Sequence, residues 1–321
     1  MKIGVFTVVL GALKLEQTLD YLAGLGVQAV ELGAGGYARS KHCPVEALLA
    51  SERKCRALLD AVASRGMTLS ALNAAGNPIH PRRTLAASFD RDYRQVVRLA
   101  AKLQVDTVIT FSGCPGGAPG DQSPNWVTCP WPPDFLKILE YQWSKVVIPY
   151  WTKTVAWTRR EGIRRIALEM HPGFVVYNPE TLLKLRSAAG ASIGANFDPS
   201  HLFWQGIDPC AAIRALQGAI WHCHAKDTAI HAWNATTHGT LDTKHYRDEL
   251  KRAWIFRTVG YGHPRQFWCD FVSALRMTGY DGVLSMEHED SLMTPREGLE
   301  KGVRFLQSLA LTEAKGEVTW A

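Results

Sequence analysis

Short apolar runs recur along the chain and alternate with longer segments in which apolar and polar residues follow a helical period. The runs are rich in Val, Ile and Leu, and Gly, Pro or polar residues follow them. This pattern is typical of buried parallel strands that lead into loops. It predicts strands that begin near Lys2, Gln28, Thr68, Asp106, Arg165, Ser192, Ala219 and Gly282.

Amphipathic helical patterns lie between most of these strands. They cover residues 17–25, 45–65, 92–103, 143–160, 179–188 and 266–277. Strands and helices in this number and alternation favour a (β/α)₈ barrel, or TIM barrel. A doubly wound sheet would need a glycine-rich phosphate loop after its first strand, and residues 7–11 do not supply one. We therefore predict an α/β fold in which residues 1–321 form a single (β/α)₈ barrel domain.

Two predicted connections, after strands 4 and 7, are much longer than usual for this fold. They span about residues 113–135 and 228–263, and both contain Trp residues. Long loops usually have a function, and loops that follow barrel strands project over the active-site mouth. Their aromatic content favours a substrate lid or a partner surface, with cover for strand ends or an oligomer contact as the alternative.

The composition limits the classes of function. The 321 residues are 46% hydrophobic and 21% charged, which suits one large core. The net charge of +6 is spread in short pairs, which indicates surface charge rather than nucleic-acid binding. The seven cysteines form no CxxC pair, as expected in a reducing compartment. No run is long enough for a membrane span, and no convincing signal peptide is present, so we predict a soluble, cytoplasmic protein.

Four predicted strands in the second half of the chain each end in a residue that can bind a metal. Because the carboxyl ends of barrel strands meet at one mouth, the four residues are expected to form one site. Clustered carboxylates raise one another's pKa, and a divalent cation between them would remove that repulsion. Three carboxylates and one neutral imidazole suit Mn²⁺, Mg²⁺ or Co²⁺ better than a structural Zn²⁺ held by thiolates. The predicted ligands are Glu169, Asp198, His224 and Glu287.

Two further histidines follow these ligands closely. His171 is the candidate general base, because an imidazole with a pKa of about 6.5 accepts a proton at neutral pH. Packing under the Pro172–Gly173 turn is its alternative role. His201 is a candidate substrate contact, with support of the ligands or a position at a helix start as the alternative.

Other polar residues near strand ends are candidates for substrate binding. Lys226 and Asp227 could neutralise substrate oxygens or support His224, and a structural Lys–Asp pair is equally compatible with the sequence. Asn77 and His80 lie on the predicted loop after the third strand and could reach the mouth. Glu31 at the end of the second strand, and residues 288–290 after Glu287, are further candidates for support of the site.

With these residues in this order, the chain resembles the xylose-isomerase-like TIM-barrel superfamily, often called sugar phosphate isomerases/epimerases. Its tagatose-3-epimerase branch binds one divalent metal through Glu, Asp, His and Glu, which match Glu169, Asp198, His224 and Glu287. The resemblance implies proton abstraction next to a carbonyl, with the metal as Lewis acid. It also implies that Glu169 and Glu287 act as acid and base on opposite faces of the sugar, and that His201 contacts the substrate.

Within the superfamily, residues 196–209, 222–227, 241–264 and 286–293 look similar to the large (alpha) subunit of bacterial C-glycoside deglycosidases. This resemblance favours β-elimination of the aglycone from a 3-keto-glycoside, with a small beta subunit as partner in a hetero-oligomer. A flat phenolic aglycone would stack well on the Trp and Tyr residues of the long loops. The alternative is a ketose isomerase or 3-epimerase that uses the same metal site on a free sugar.

Two more distant alternatives differ in class. Apurinic endonucleases share the barrel and an Asp-x-x-His spacing like that of Asp198 and His201. They need additional His ligands at the second to fourth strand ends, where this chain has Gly33, Asn73 and Ser112. A binding barrel without catalysis would be expected to have lost ligands, and here all four are present.

Overall fold

The computed structural model describes residues 1–319. Parallel strands within this range close into a barrel. Barrel strands that are adjacent in sequence are adjacent in space, and the last barrel strand pairs with both the first and the seventh. The (β/α)₈ prediction is confirmed. The strands are β1 (Lys2–Phe6), β2 (Ala29–Gly33), β3 (Thr68–Asn73), β4 (Thr107–Thr110), β5 (Arg165–Glu169), β6 (Ile193–Phe197), β7 (Ile220–Ala225), β8 (Asp227–Ile230), β9 (Trp254–Arg257) and β10 (Val283–Met286).

Helices surround the barrel and cover the six predicted helical ranges. The predicted helix over 45–65 is two helices, because Ser51 starts a new one by accepting a hydrogen bond from the Lys54 backbone N–H. A π-helical segment, Gln142–Val147, joins α5 to α6. The helices are α1 (Leu15–Gly24), α2 (Val45–Leu49), α3 (Glu52–Ala63), α4 (Arg83–Lys102), α5 (Asp134–Tyr141), α6 (Ile148–Arg160), α7 (Pro179–Ala189), α8 (Ser200–Phe203), α9 (Pro209–Ala215), α10 (Ala232–His238), α11 (Arg265–Met277) and α12 (Pro295–Gln307).

The apolar core lies mainly between the barrel and its helices, and it includes Leu22 of α1, Trp151 of α6 and Phe271 of α11. The barrel interior near the mouth contains polar side chains instead. Since buried polar groups are costly without partners, a polar barrel interior indicates a functional site. Within residues 1–319, no helix has both the length and the apolar character needed to cross a membrane.

Both predicted long connections are present and lie close together. The chain after β4 has no strand or helix until α5 begins at Asp134. The connection after β7 contains an antiparallel pair of strands, β8 and β9, with α10 between them. Trp126 of the first connection packs against Trp204 and Trp254, so the two connections meet beside the mouth.

Candidate active site

The four predicted ligands come together at the carboxyl end of the barrel. Glu169 ends β5, His224 lies near the end of β7, and Asp198 and Glu287 directly follow β6 and β10. One ligating atom from each lies within 4.8 Å of the others. The spacing of the strand ends therefore produces the predicted cluster.

The cluster fits a hard divalent cation. Asp198 is fully buried, and its Oδ2 atom lies 3.1 Å from the Lys226 ammonium and 3.4 Å from His201 Nε2. The His224 Nδ1 atom lies 3.1 Å from Glu287 Oε2 and 3.5 Å from Glu169 Oε2. Three buried or nearly buried carboxylates beside an imidazole nitrogen are a donor set that could hold a divalent metal ion.

Glu31 holds the imidazole of His224 from below. Its Oε2 atom lies 2.9 Å from His224 Nε2 and accepts a hydrogen bond from Ser285 at 3.0 Å, while its Oε1 atom accepts one from Asn73 at 2.9 Å. If Nε2 carries the proton and donates to Glu31, the Nδ1 lone pair is free to face Glu169 and Glu287. Glu31 and His224 also form a second possible ligand group with His222. In the structure, however, His224 Nε2 is at hydrogen-bond distance from Glu31, 2.9 Å from its Oε2 atom.

The charges of the cluster depend on one another. Burial, together with the negative charge of Glu287, raises the pKa of Glu169 to about 7. Burial opposes the charge of Lys226, but Asp198, Glu287 and Glu289 outweigh it and hold the pKa of Lys226 well above its usual range. The cluster therefore contains more negative charge than Lys226 alone neutralises, and a divalent cation would relieve the remainder.

Lys226 lies inside the cluster rather than beside Asp227. Its ammonium is 2.7 Å from Glu287 Oε2, 3.1 Å from Asp198 Oδ2 and 2.9 Å from Glu289 Oε2. It also lies 4.6 Å from the centre of the Phe256 ring. The ammonium of Lys226 thus lies against two of the four candidate ligands.

The two predicted site histidines, His171 and His201, lie near the cluster with their ring centres 4.1 Å apart and their rings tilted by 52°. His201 Nε2 lies 3.2 Å from Glu169 Oε1, and the His201 side chain is buried, so it supports a ligand. His171 Nδ1 lies 2.6 Å from the carbonyl oxygen of Pro172. Burial, with a further contribution from His201, lowers the pKa of His171 to about 3, which keeps the ring neutral and makes it a weaker base than free imidazole.

Three residues predicted to bind substrate make hydrogen bonds to backbone groups. The Asp227 carboxylate is buried and accepts hydrogen bonds from the backbone N–H groups of Gly260, Gly262 and His263, so it fixes a loop. The Asn77 side chain pairs with both backbone groups of Cys114 and joins two loops.

His80 is the third of these residues. Its Nδ1 atom accepts a hydrogen bond from the Arg82 backbone N–H, just before α4 begins. Polar atoms of Asp227, Asn77 and His80 thus bind backbone groups in the structure, and the substrate-binding role of these residues stays a prediction. The Lys226–Asp227 pair, offered as an alternative, is absent.

Two cavities open beside the cluster. The first has a volume of about 460 Å³, is lined by Glu169 and Glu287, and extends toward Arg39 and Lys41 on the loop after β2. The second, about 520 Å³, is lined by residues that include His171, Tyr246, Ile255 and Phe256. Glu289 lines both cavities. Sequence reasoning gave Glu289 no definite role, although its position two residues after Glu287 placed it near the site.

Comparison with known proteins identifies the family. A family model described as xylose isomerase-like TIM barrel matches residues 19–309. The chain belongs to this family. Uncharacterized protein YfiH of Bacillus subtilis (strain 168) is 42% identical over 309 residues, which are 96% of this chain and 98% of YfiH. Rhizopine catabolism protein MocC of Rhizobium meliloti is 32% identical over 127 residues, 39% of this chain and 36% of MocC.

Solved structures of the same fold cover 96% of the chain at low identity. A D-tagatose 3-epimerase-like protein has a TM-score of 0.63 at 20% identity, over 98% of its own chain. D-psicose 3-epimerase from Clostridium cellulolyticum H10 has a TM-score of 0.60 at 12% identity, over 99% of its chain. The probable 3-DHS dehydratase AsbF from Bacillus anthracis has a TM-score of 0.63 at 15% identity, over 99% of its chain. These similarities establish the fold.

Proposed function

We propose that this protein is a metal-dependent enzyme that moves a proton next to the carbonyl of a carbohydrate, as sugar isomerases and epimerases do. The observation that carries the proposal is the group of four ligand side chains within 4.8 Å of one another at the barrel mouth. Mn²⁺, Mg²⁺ or Co²⁺ held there would act as a Lewis acid toward a carbonyl oxygen and make the neighbouring C–H more acidic. Two epimerase-related structures of the same fold support this class of reaction.

The side chains around the cluster have separate tasks in this proposal. Glu169 and Glu287 both line the first cavity, where one would remove the proton and the other return it. His171 is the alternative base, since it lines the second cavity. Lys226 would donate to the oxygen on which negative charge develops, and His201 keeps Glu169 in place through their 3.2 Å contact.

β-Elimination from a 3-keto-glycoside is the second candidate, and the second cavity favours it. A base would take the proton from C2, its C–H electrons would form the C1–C2 double bond, and the C1–aglycone bond would break. The aglycone would leave with that electron pair and take up a proton. The second cavity has an aromatic and aliphatic wall formed by Tyr246, Ile255 and Phe256. Such a wall is more suitable for a flat aromatic leaving group than for a free hexose.

The two candidates are separated by incubating the Mn²⁺-loaded protein in D₂O with a panel of ketohexoses and with 3-keto-O- and 3-keto-C-glycosides. Mass-resolved chromatography would show a sugar isomer that carries deuterium for isomerisation or epimerisation, and a free aglycone for elimination. Asp198→Asn is the matched control, because it removes one ligand charge and keeps the side-chain volume. The proposal would be contradicted if a protein with bound Mn²⁺ gave no deuterium incorporation and no product with any of these compounds.

A partner protein is part of the elimination candidate. Trp131, Trp233 and Leu250 on the two long connections are 74%, 84% and 94% exposed, and large exposed apolar side chains favour an interface. A small beta subunit on this surface would be detected by light scattering of the protein mixed with any small protein encoded beside it. A requirement for that second protein in the elimination assay, but not in the ketohexose assay, would assign it to the glycoside reaction.

A further inference from the structure

Lys226 is a buried ammonium whose partners are all carboxylates. The residue is 2% exposed, and its Nζ atom contacts Asp198, Glu287 and Glu289 at 2.7–3.1 Å. A buried charge is stable only while enough hydrogen-bonding or ionic partners surround it. Loss of any one partner must therefore be compensated by another group at the same position.

The three partners differ in their freedom to move. Asp198 is fully buried and belongs to the metal cluster, as does Glu287, whose side chain is 14% exposed. The Glu289 side chain is 49% exposed, and Lys226 is its one hydrogen-bonding partner within residues 1–319. Glu289 can therefore leave the ammonium for solvent without the cost of an unpaired buried charge, whereas Asp198 and Glu287 cannot.

Glu289 also stands where a substrate would enter. Among residues 1–319 it is the one side chain that lines both cavities beside the cluster. A molecule that fills either cavity therefore lies against Glu289, next to its contact with Lys226.

We infer that Glu289 is the exchangeable partner of Lys226, and that an oxygen of the bound carbohydrate takes its place on the ammonium. This inference rests on the proposed function, since it requires a substrate with oxygens at the metal site. Asp198 and Glu287 keep the ammonium in position while Glu289 turns toward solvent. Because the Glu289 carboxylate competes with the substrate oxygen for Lys226, Glu289 lowers the affinity of the protein for its substrate.

Binding of an unreactive polyol tests the exchange. Titration calorimetry of the Mn²⁺-loaded protein with xylitol and D-sorbitol would compare the wild type with Glu289→Gln. The amide keeps the shape of the side chain and weakens its hold on Lys226. We expect the polyol Kd to fall about two- to fivefold, the range that a partly exposed ion pair supplies.

Glu297→Gln is the matched control. Glu297 is 48% exposed and pairs with Lys301 at 2.7 Å, which resembles the Glu289–Lys226 pair, but it lies on α12. We expect this variant to bind polyols like the wild type. An unchanged polyol Kd in Glu289→Gln would overturn the inference. A raised Kd would overturn it too, and would make Glu289 an ordinary contact for a sugar hydroxyl.

The outcomes also separate this inference from the function on which it rests. A wild-type protein that binds Mn²⁺ but neither polyol would contradict the carbohydrate function, and the inference with it. A wild-type protein that binds both, without tighter binding in Glu289→Gln, would contradict the inference alone. A crystal structure with bound xylitol adds a direct measure, because we expect a polyol oxygen within hydrogen-bond distance of Lys226 Nζ and Glu289 turned away.

Discussion

Single residues beneath the candidate metal site orient its side chains. Glu31 is such a residue, since its carboxylate lies 2.9 Å from His224 Nε2 and none of its surface is exposed. Glu31→Gln replaces the charged acceptor by a neutral amide that can present its NH₂ group to the ring. We expect Mn²⁺ affinity to fall by about 10- to 100-fold. Titration calorimetry would measure the loss, with Glu46→Gln on the exposed face of α2 as control. Unchanged affinity would mean that His224 holds its orientation without Glu31.

Substitution of His171 tests whether this residue is the general base. Its ring is close to the cluster but is not one of the four ligands, so His171→Ala should leave Mn²⁺ content unchanged. If His171 removes the proton, kcat should fall by about 10²- to 10⁴-fold. Metal analysis and steady-state kinetics on the same preparation would measure both. A near-normal kcat would return the base role to Glu169 and Glu287.

The sequence predicted the grouping of the four candidate ligands better than the contacts of their neighbours, for a physical reason. Glu169, Asp198 and His224 could be found because each follows or ends a buried strand, and strand ends converge in a barrel. The partners of Asp227 could not be predicted from the sequence, because a carboxylate that binds backbone N–H groups has the same sequence context as one that binds substrate. Only the packed position of residues 260–263 distinguishes the two.

At the scale of elements, Asp227 joins the β8–β9 hairpin to the start of α11. Besides three backbone N–H groups, it accepts a hydrogen bond from the indole N–H of Trp268 at 3.3 Å. Asp227→Asn should lower the free energy of unfolding by about 3 kcal/mol, because the amide cannot accept all of these bonds and brings an unpaired donor. Urea denaturation would measure the change, with the exposed Asp60→Asn as control. A loss below about 0.5 kcal/mol would contradict this anchoring role.

Asp242 holds the connection between α10 and β9 in a comparable way. Burial alone would raise its pKa, but hydrogen bonds from Ala253 and Lys244 outweigh burial and lower the pKa to about 2. Because the pKa is lower in the folded protein than in the unfolded chain, the stabilisation is present above about pH 4 and is lost toward pH 2. Asp242→Asn should therefore speed proteolysis of this connection at pH 7. Equal cleavage in Asp242→Asn and in Asp248→Asn, on the same connection, would contradict the prediction.

Helix α12 shows why some elements could not be predicted. Its sequence contains Gly298 and Gly302, which weaken a helical pattern. A Cβ atom on Gly298 would lie 2.1 Å from the His288 ring, and one on Gly302 would lie 2.3 Å from the Met286 side chain. The flexible end of Met286 could move away from a Cβ on Gly302, but the His288 ring leaves little room at Gly298, and this preference for glycine is visible only after packing. The barrel strands were easier to predict, because apolar residues predominate in them even though each site residue interrupts the run.

At the scale of the whole molecule, the order of strands brings distant residues into one site. Glu31 and His224 are 193 positions apart, and the barrel places them in contact. The periodic pattern predicted this convergence at the level of strand ends. It did not predict how the two long connections pack, because β8 and β9 pair across α10 and an irregular segment rather than a short turn.

The stability of the whole barrel should depend on divalent metal. Glu169, Asp198 and Glu287 repel one another, and a metal that binds only the folded chain shifts the unfolding equilibrium by mass action. At a free Mn²⁺ concentration of about 100 times Kd, the gain is about 2.7 kcal/mol, which for a chain of this size corresponds to a rise in Tm of roughly 5 °C over the EDTA-treated protein. Differential scanning calorimetry would measure the shift. Asp198→Asn should lose most of it, because this substitution removes both a ligand charge and part of the repulsion. The same Tm with EDTA and with Mn²⁺ in the wild type would contradict a metal site at the barrel mouth.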